Sequence, residues 1–210
     1  MRTRQIHEIS VGAASGCLPV MVETAGLSRP LLVVVGGRPG SGKTSLAHAL
    51  ARAIRCPAIC RDEIKEGYVN TTGCAGDDGD NVGLKIYEVF FDTLQFLLHR
   101  NISLVAEAAF QHKLWAPKLQ PLLELARVRV VQCSVDAEIA RARHIERGLA
   151  DPLRERFHDD RPVRAAREGR QLPIGVFDPL RLDVPSLTVN TSDGYRPAFE
   201  SIVAFASAQG

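Results

Sequence analysis

The sequence predicts a three-layer α/β domain built on a doubly wound parallel sheet of about five strands. Short β-branched apolar runs recur along the chain, and segments with apolar residues every three or four positions separate them. The length of 210 residues suits one compact domain. Strands and helices alternating in this way imply right-handed crossovers between parallel neighbours.

Residues 1–28 mix Gly, Ala, Ser and charges without sustained periodicity and read as an extension, open to disorder, ahead of a folded unit at 29–210. Leu31 to Val35 reads as a strand covered on both faces. After a glycine-rich turn, Leu46, Leu50, Ala53 and Ile54 mark an amphipathic helix to about Arg55, and Pro57 to Cys60 forms a second short strand. A polar loop at 71–81 leads into a long helix marked by Val82, Ile86, Val89, Phe90, Leu94 and Leu97. Ile102 to Ala106 is the next strand, Trp115 to Ala126 a helix entered through Pro117, and Val128 to Val135 a fourth strand. Ala137 to Arg147 should be helical and 148–183 is rich in Arg, Asp and Pro. Leu187 to Asn190 closes the sheet, followed by a helix from Pro197 to Ala208.

Composition narrows the classes of function. Lys and Arg total 26 against 24 Asp and Glu, so a net charge of +2 provides no broad field for nucleic acid or anionic lipid, and any basic site must be local. No window approaches the roughly 20 apolar residues of a membrane span, and the uncharged stretch from Ile9 to Val22 is broken by Gly12, Gly16 and Pro19. Neither a signal peptide nor an anchor is read. Cys17, Cys56, Cys60, Cys74 and Cys133 include no Cys-x-x-Cys pair, which suits reduced thiols in a cytoplasm better than a disulfide framework or a zinc motif. His-Glu-x-x-His and Gly-x-Ser-x-Gly are both absent. Asp77, Asp78 and Asp80 lack the closing Glu of a calcium loop and read as a mobile acidic loop.

Gly37-Arg38-Pro39-Gly40-Ser41-Gly42-Lys43-Thr44 matches G-x-x-x-x-G-K-[ST] between a predicted strand and helix, with Ser45 in the helix behind it. Glycines let backbone N–H groups turn inward around a phosphate, and the helix start adds its positive end. Lys43 would reach the β and γ phosphates, and Thr44 would hold Mg²⁺ through its hydroxyl. Neither the guanine-reading Asn-Lys-x-Asp nor an Asp-x-x-Gly after the third strand occurs, and no second domain remains to be moved. ATP-dependent phosphoryl transfer to a small acceptor is what is left.

With Arg61-Asp62-Glu63-Ile64-Lys65 after the second strand, Val105-Ala106-Glu107-Ala108-Ala109-Phe110 after the third and an arginine-rich segment after the fourth, the chain resembles a family over roughly 31–206. It is similar to the P-loop kinases related to the polynucleotide 5′-hydroxyl kinase domain, the zeta-toxin-like kinases and chloramphenicol phosphotransferase. The resemblance implies MgATP as cofactor and a helical arginine-rich lid. It places Asp62 against the acceptor hydroxyl as general base, although Asp62 also suits a helix N-cap. Lys65 matches a position that holds an acceptor phosphate. Glu107 matches one near the metal and the acceptor, with a purely structural Glu as the alternative. Gln111 and His112 fall in the same crevice loop, His112 either touching acceptor or lying on the surface.

Arg141, Arg143 and Arg147 lie on or beside one helix, and Arg154, Arg156 and Arg161 continue beyond it. The resemblance makes Arg147, Arg143 and Arg156 lid contacts, with Lys43, Asp62, Arg143 and Arg147 as the catalytic set. It sets Val184 to Tyr195 beside the adenine, with 171–183 expected to close over the base. The acceptor reads as a sugar, nucleoside or antibiotic-like alcohol rather than a 5′-hydroxyl nucleic-acid end. An ATP-binding regulatory module is the rival from another class.

Overall fold

The structure is a computed structural model that describes residues 29–73, 79–151, 153–158 and 160–208. The extension at 1–28 and Asp77 and Asp78 of the acidic loop lie outside these residues. Five strands form one sheet: β1 Leu31–Gly36, β2 Ala58–Cys60, β3 Leu104–Ala108, β4 Arg127–Ser134 and β5 Ser186–Asn190. All neighbours are parallel in the order β2-β3-β1-β4-β5, so the carboxyl ends of the strands lie along one edge.

Helices cover both faces. They are α1 Lys43–Ala53, α2 Arg61–Thr72, α3 Gly79–His99, α4 His112–Leu119, α5 Leu122–Leu125, α6 Ala137–Ala150, α7 Arg154–Phe157, α8 Arg161–Arg167 and α9 Phe199–Ser207. The uninterrupted apolar run of β1 follows from this sandwich. Leu31, Val33 and Val35 pack with Leu46 and Leu50 of α1 and Ile202 of α9, whereas Leu32 and Val34 face Phe90 and Leu94 of α3 and Trp115 of α4. Trp115 anchors the second face, its ring centroid 4.8 Å from that of Phe110 and 4.9 Å from that of Tyr87 in edge-to-face contacts.

Several element boundaries depart from the sequence reading, among them α6, which runs to Ala150, and α9, which starts at Phe199. β3 starts at Leu104, because Ile102 belongs to the turn closing α3: Asn101 has φ 59° and the Ile102 N–H donates to the Leu97 carbonyl. The strand also runs through Glu107 to Ala108, so Glu107 is an interior strand residue. The helix expected from Trp115 through Pro117 starts at His112 instead, since the Gln111 carbonyl accepts the Leu114 and Trp115 N–H groups. Pro117 therefore sits inside α4, and the helix stops before Pro121, which opens the short α5. The segment 148–183 contains the end of α6, where Gly148 meets Val163 of α8 so closely that a Cβ would overlap the valine side chain.

Among the described residues, no helix is long and apolar enough to cross a membrane.

Candidate functional site

The turn after β1 has the backbone a phosphate cradle needs. Gly40 and Gly42 hold φ 83° and 77°, a left-handed region costly for residues with a Cβ. A Cβ at Gly40 would also collide with the Ala140 carbonyl of α6, so glycine lets the loop rest on that helix. The far side is tied to β5: the Thr191 hydroxyl donates to the Ser41 carbonyl at 2.8 Å, in a buried contact. The Ser41 hydroxyl is itself buried without a partner, an orphan polar group in the cradle that an anionic oxygen would satisfy. Arg38, on the rim, stacks over Phe177 at 5.8 Å, and Pro39 lies beside it on a cavity wall.

Lys43, the first residue of α1, turns inward and its Nζ lies 3.3 Å from Glu107 Oε1, the two side chains 9% and 2% exposed. Strand register explains the meeting, because Glu107 pairs with Val35 of β1 on one side and Cys60 of β2 on the other. The Thr44 hydroxyl and the Cys60 thiol also lie within hydrogen-bonding range of Glu107. Burial pushes the Glu107 carboxyl above its ordinary value; Lys43 draws it back, and the nearby Asp62 carboxylate adds to the rise. Burial, then Glu107 and Glu63, push the Cys60 thiol well above its usual range.

Asp62 stands in the first turn of α2, its side chain 49% exposed. It makes no cap hydrogen bond there; Cys60, in extended conformation, occupies the N-cap. Its carboxyl is pulled two ways: burial raises it, but Lys43, then His158, Arg61 and Lys65, outweigh burial and hold it below the ordinary value. Arg61 reaches both Asp62 Oδ1 at 3.3 Å and the Gly83 carbonyl at 3.4 Å, holding α2 against α3.

From α6, the Arg147 guanidinium enters the same field. Burial, then the like charge of Arg154, lower its pKa, while Asp62, Asp160 and Glu107 pull the other way. Arg143, one turn earlier, is fixed elsewhere: it donates to the carbonyls of Thr191 and Ser192 at 2.9 and 2.6 Å. In this conformation it clamps the corner after β5. Arg156 is exposed and lies 5.9 Å over its neighbour Phe157. His112, at the start of α4, contacts the 178–181 segment, its N–H donating to the Asp178 carbonyl and its Nδ1 accepting from the Arg181 N–H. The structure thus gathers Lys43, Thr44, Asp62, Glu107 and Arg147 and sets Arg143, Arg156 and His112 to other contacts.

Several participants were given no individual role by the sequence reading. His158 binds Glu66 of α2 at 2.9 Å and bears on Asp62; His144 of α6 binds the buried Asp160 at 2.8 Å; Thr191 braces the cradle. Arg154, named from sequence only as part of the arginine-rich run, opens α7 and bears on Arg147 by like charge.

No curated protein matches the chain. Among solved structures it is similar to a provisionally assigned kinase from Chloroflexus aurantiacus, at 26% identity and TM-score 0.67, covering 85% of this chain and 97% of that one. It shares its fold with the APS kinase of Mycobacterium tuberculosis in complex with AMPPNP and APS, at 16% identity and TM-score 0.58, over 86% and 99% of the two chains. A sugar kinase from Janibacter has the same fold at 14% identity and TM-score 0.55, over 84% and 94%. A family model described as an AAA domain matches residues 32–171, well over half of the sequence, and the chain belongs to that family of nucleotide-binding, P-loop kinase-like domains.

Proposed function

We propose that this chain is a cytoplasmic, ATP- and Mg²⁺-dependent phosphotransferase that moves the γ-phosphoryl group to a hydroxyl of a small-molecule acceptor, with 29–210 as the kinase domain and 1–28 as an extension. The observation that carries the reading is the convergence of Lys43, Thr44, Glu107, Asp62 and Arg147 on one crevice at the carboxyl edge of the sheet. The thiols of Cys56, Cys60 and Cys133 are free, in keeping with a reducing compartment.

The residues present fit MgATP. Inward glycines, the orphan Ser41 hydroxyl and the start of α1 suit a polyphosphate, and Thr44 beside Glu107 is an all-oxygen pair of the kind Mg²⁺ takes. Bound MgATP supplies the transferable phosphoryl group and a divalent charge over its oxygens. Lys43, which holds Glu107 here, would hold the phosphate oxygens. Asp62 would align the acceptor hydroxyl and take its proton as that oxygen accepts the γ-phosphoryl group, with ADP as the leaving group. A carboxyl held below its ordinary value is a weak base, so its contribution is mainly alignment. Arg147 carries permanent charge to the oxygens where negative charge spreads.

A cavity of about 270 Å³ opens beside the cradle, lined by apolar groups including Pro39, Ala140, Leu172 and Phe177 and by the basic side chains of Arg38, Arg141 and His144. The 172–177 wall suits the closure of 171–183 over the nucleotide base, and the net charge of +2 favours a small acceptor over a polyanionic nucleic-acid end. The test is transfer of labelled γ-phosphate from ATP across pooled nucleosides, sugars, antibiotic-like alcohols and 5′-hydroxyl oligonucleotides. Labelled product is expected from a small alcohol, with Asp62→Asn slowed by about 10²–10⁴-fold while nucleotide affinity is kept. An unslowed Asp62→Asn, or product from oligonucleotides alone, overturns the reading.

A further inference from the structure

On the outer side of the β2–α2 junction, three unlike donors meet. His48 Nε2 from α1 lies 2.6 Å from Glu63 Oε1 of α2 and 3.6 Å from the Cys60 thiol at the end of β2. All three donor atoms fall within 4.8 Å of one another. The thiol belongs to a residue 2% exposed, whereas the His48 and Glu63 side chains are 36% and 49% exposed. A His–Glu ion pair alone accounts for two of the groups and leaves a buried sulfur at the same point.

We propose that His48, Cys60 and Glu63 form a site for a thiophilic divalent cation of the Zn²⁺ class, with a fourth position open to water. Around a tetrahedral ion with Zn–N and Zn–S near 2.0 and 2.3 Å, donors stand roughly 3.5 Å apart. The sulfur–imidazole spacing already matches. The imidazole–carboxylate pair must open by about 1 Å to reach that spacing, a shift open to the half-exposed Glu63 while the buried thiol stays in place. On binding, the metal–sulfur bond replaces the S–H bond and the proton leaves to solvent. One cation, one thiolate, one carboxylate and a neutral imidazole then sum to zero, so the half-buried site holds no net charge.

Sulfur also sets the choice of ion. Mg²⁺ takes hard oxygen ligands and has little use for a thiolate, so the ion of the nucleotide site does not compete here. The two sites still adjoin, because Cys60 of β2 pairs with Glu107 of β3 across the sheet.

The test uses the full chain, stripped of metal, in excess Mg²⁺. Co²⁺ titration is followed by the near-ultraviolet thiolate-to-cobalt charge-transfer band, and Zn²⁺ affinity is measured against a chromophoric chelator. One equivalent should develop the band, and Cys60→Ser should lose it with the far-ultraviolet circular dichroism unchanged. His48→Ala and Glu63→Gln, at half-exposed positions where folding is safe, should weaken Zn²⁺ by more than the roughly 10–100-fold that loss of an outer partner costs. Absence of the band in the wild-type chain, a band that survives Cys60→Ser, or an unaltered affinity in His48→Ala each overturns the site.

Discussion

Glu107 is 1% exposed and has Lys43, Thr44 and Cys60 all within reach of its carboxylate. A carboxylate so deeply set needs these partners, since an unpaired buried charge costs several kcal/mol (about 3–5 when one member of a buried pair is removed). The same dependence governs Asp160 at the start of α8, which is 5% exposed. Burial would raise its carboxyl, but the His144 hydrogen bond and charge, the Val163 N–H and Arg154 together hold it below the ordinary 3.8. A carboxyl depressed in the folded state adds stability above its unfolded value and loses it as pH falls through the folded one. The native chain should therefore lose stability below pH 3.8, and Asp160→Asn should flatten that limb in urea unfolding curves measured across pH. An unchanged slope would remove Asp160 as the cause. Thr191 allows a separate check, because Thr191→Val keeps the volume but strips the buried Ser41 carbonyl of its donor. The expected loss is about 1–3 kcal/mol in denaturant unfolding, with weaker nucleotide binding as the cradle loosens.

At the scale of elements, α6 was legible and its surroundings were not. Its apolar spacing and the Asp136 cap, whose carboxylate accepts the Glu138 and Ile139 N–H groups at 2.8 and 3.3 Å, are local features. Which partner each arginine meets depends on β5 and α2, far away in sequence, so Arg143 and Arg147 could not be told apart by spacing. Gly148 shows the same limit. Its role rests on Val163 of α8, and a Cβ there would overlap that side chain. Gly148→Ala should cost about 1–3 kcal/mol by overpacking, and Val163→Ala in the same chain should recover part of it. Purely additive losses in that double-mutant cycle would show that the helices do not press at this point. The misplaced start of α4 has a related origin: Pro117 signalled a helix entry, but burial of Trp115 among Tyr87, Phe91 and Phe110 drew the helix back to His112.

For the molecule as a whole, the cradle joins elements on both sides of β1: α6 through Gly40, β5 through Thr191, and β3 through Lys43 and Glu107. A nucleotide bound there should brace all of them. At one hundred times its dissociation constant MgATP should add about 2.7 kcal/mol and raise the melting temperature by roughly 5–10 °C, and Lys43→Ala should erase most of that shift. A shift undiminished in Lys43→Ala would place nucleotide elsewhere. Apolar period, β-branching and glycine placement act within a few residues of chain, so the alternation of strands and helices, the buried β1 and the phosphate loop were legible in the linear order. Only the folded chain sets Glu107 between Lys43 and Cys60, ties Arg143 to the Thr191 and Ser192 carbonyls, and brings His48, Cys60 and Glu63 together. Those meetings follow from parallel strand register and from helices packed across the sheet, and both depend on contacts between segments that the linear order keeps apart.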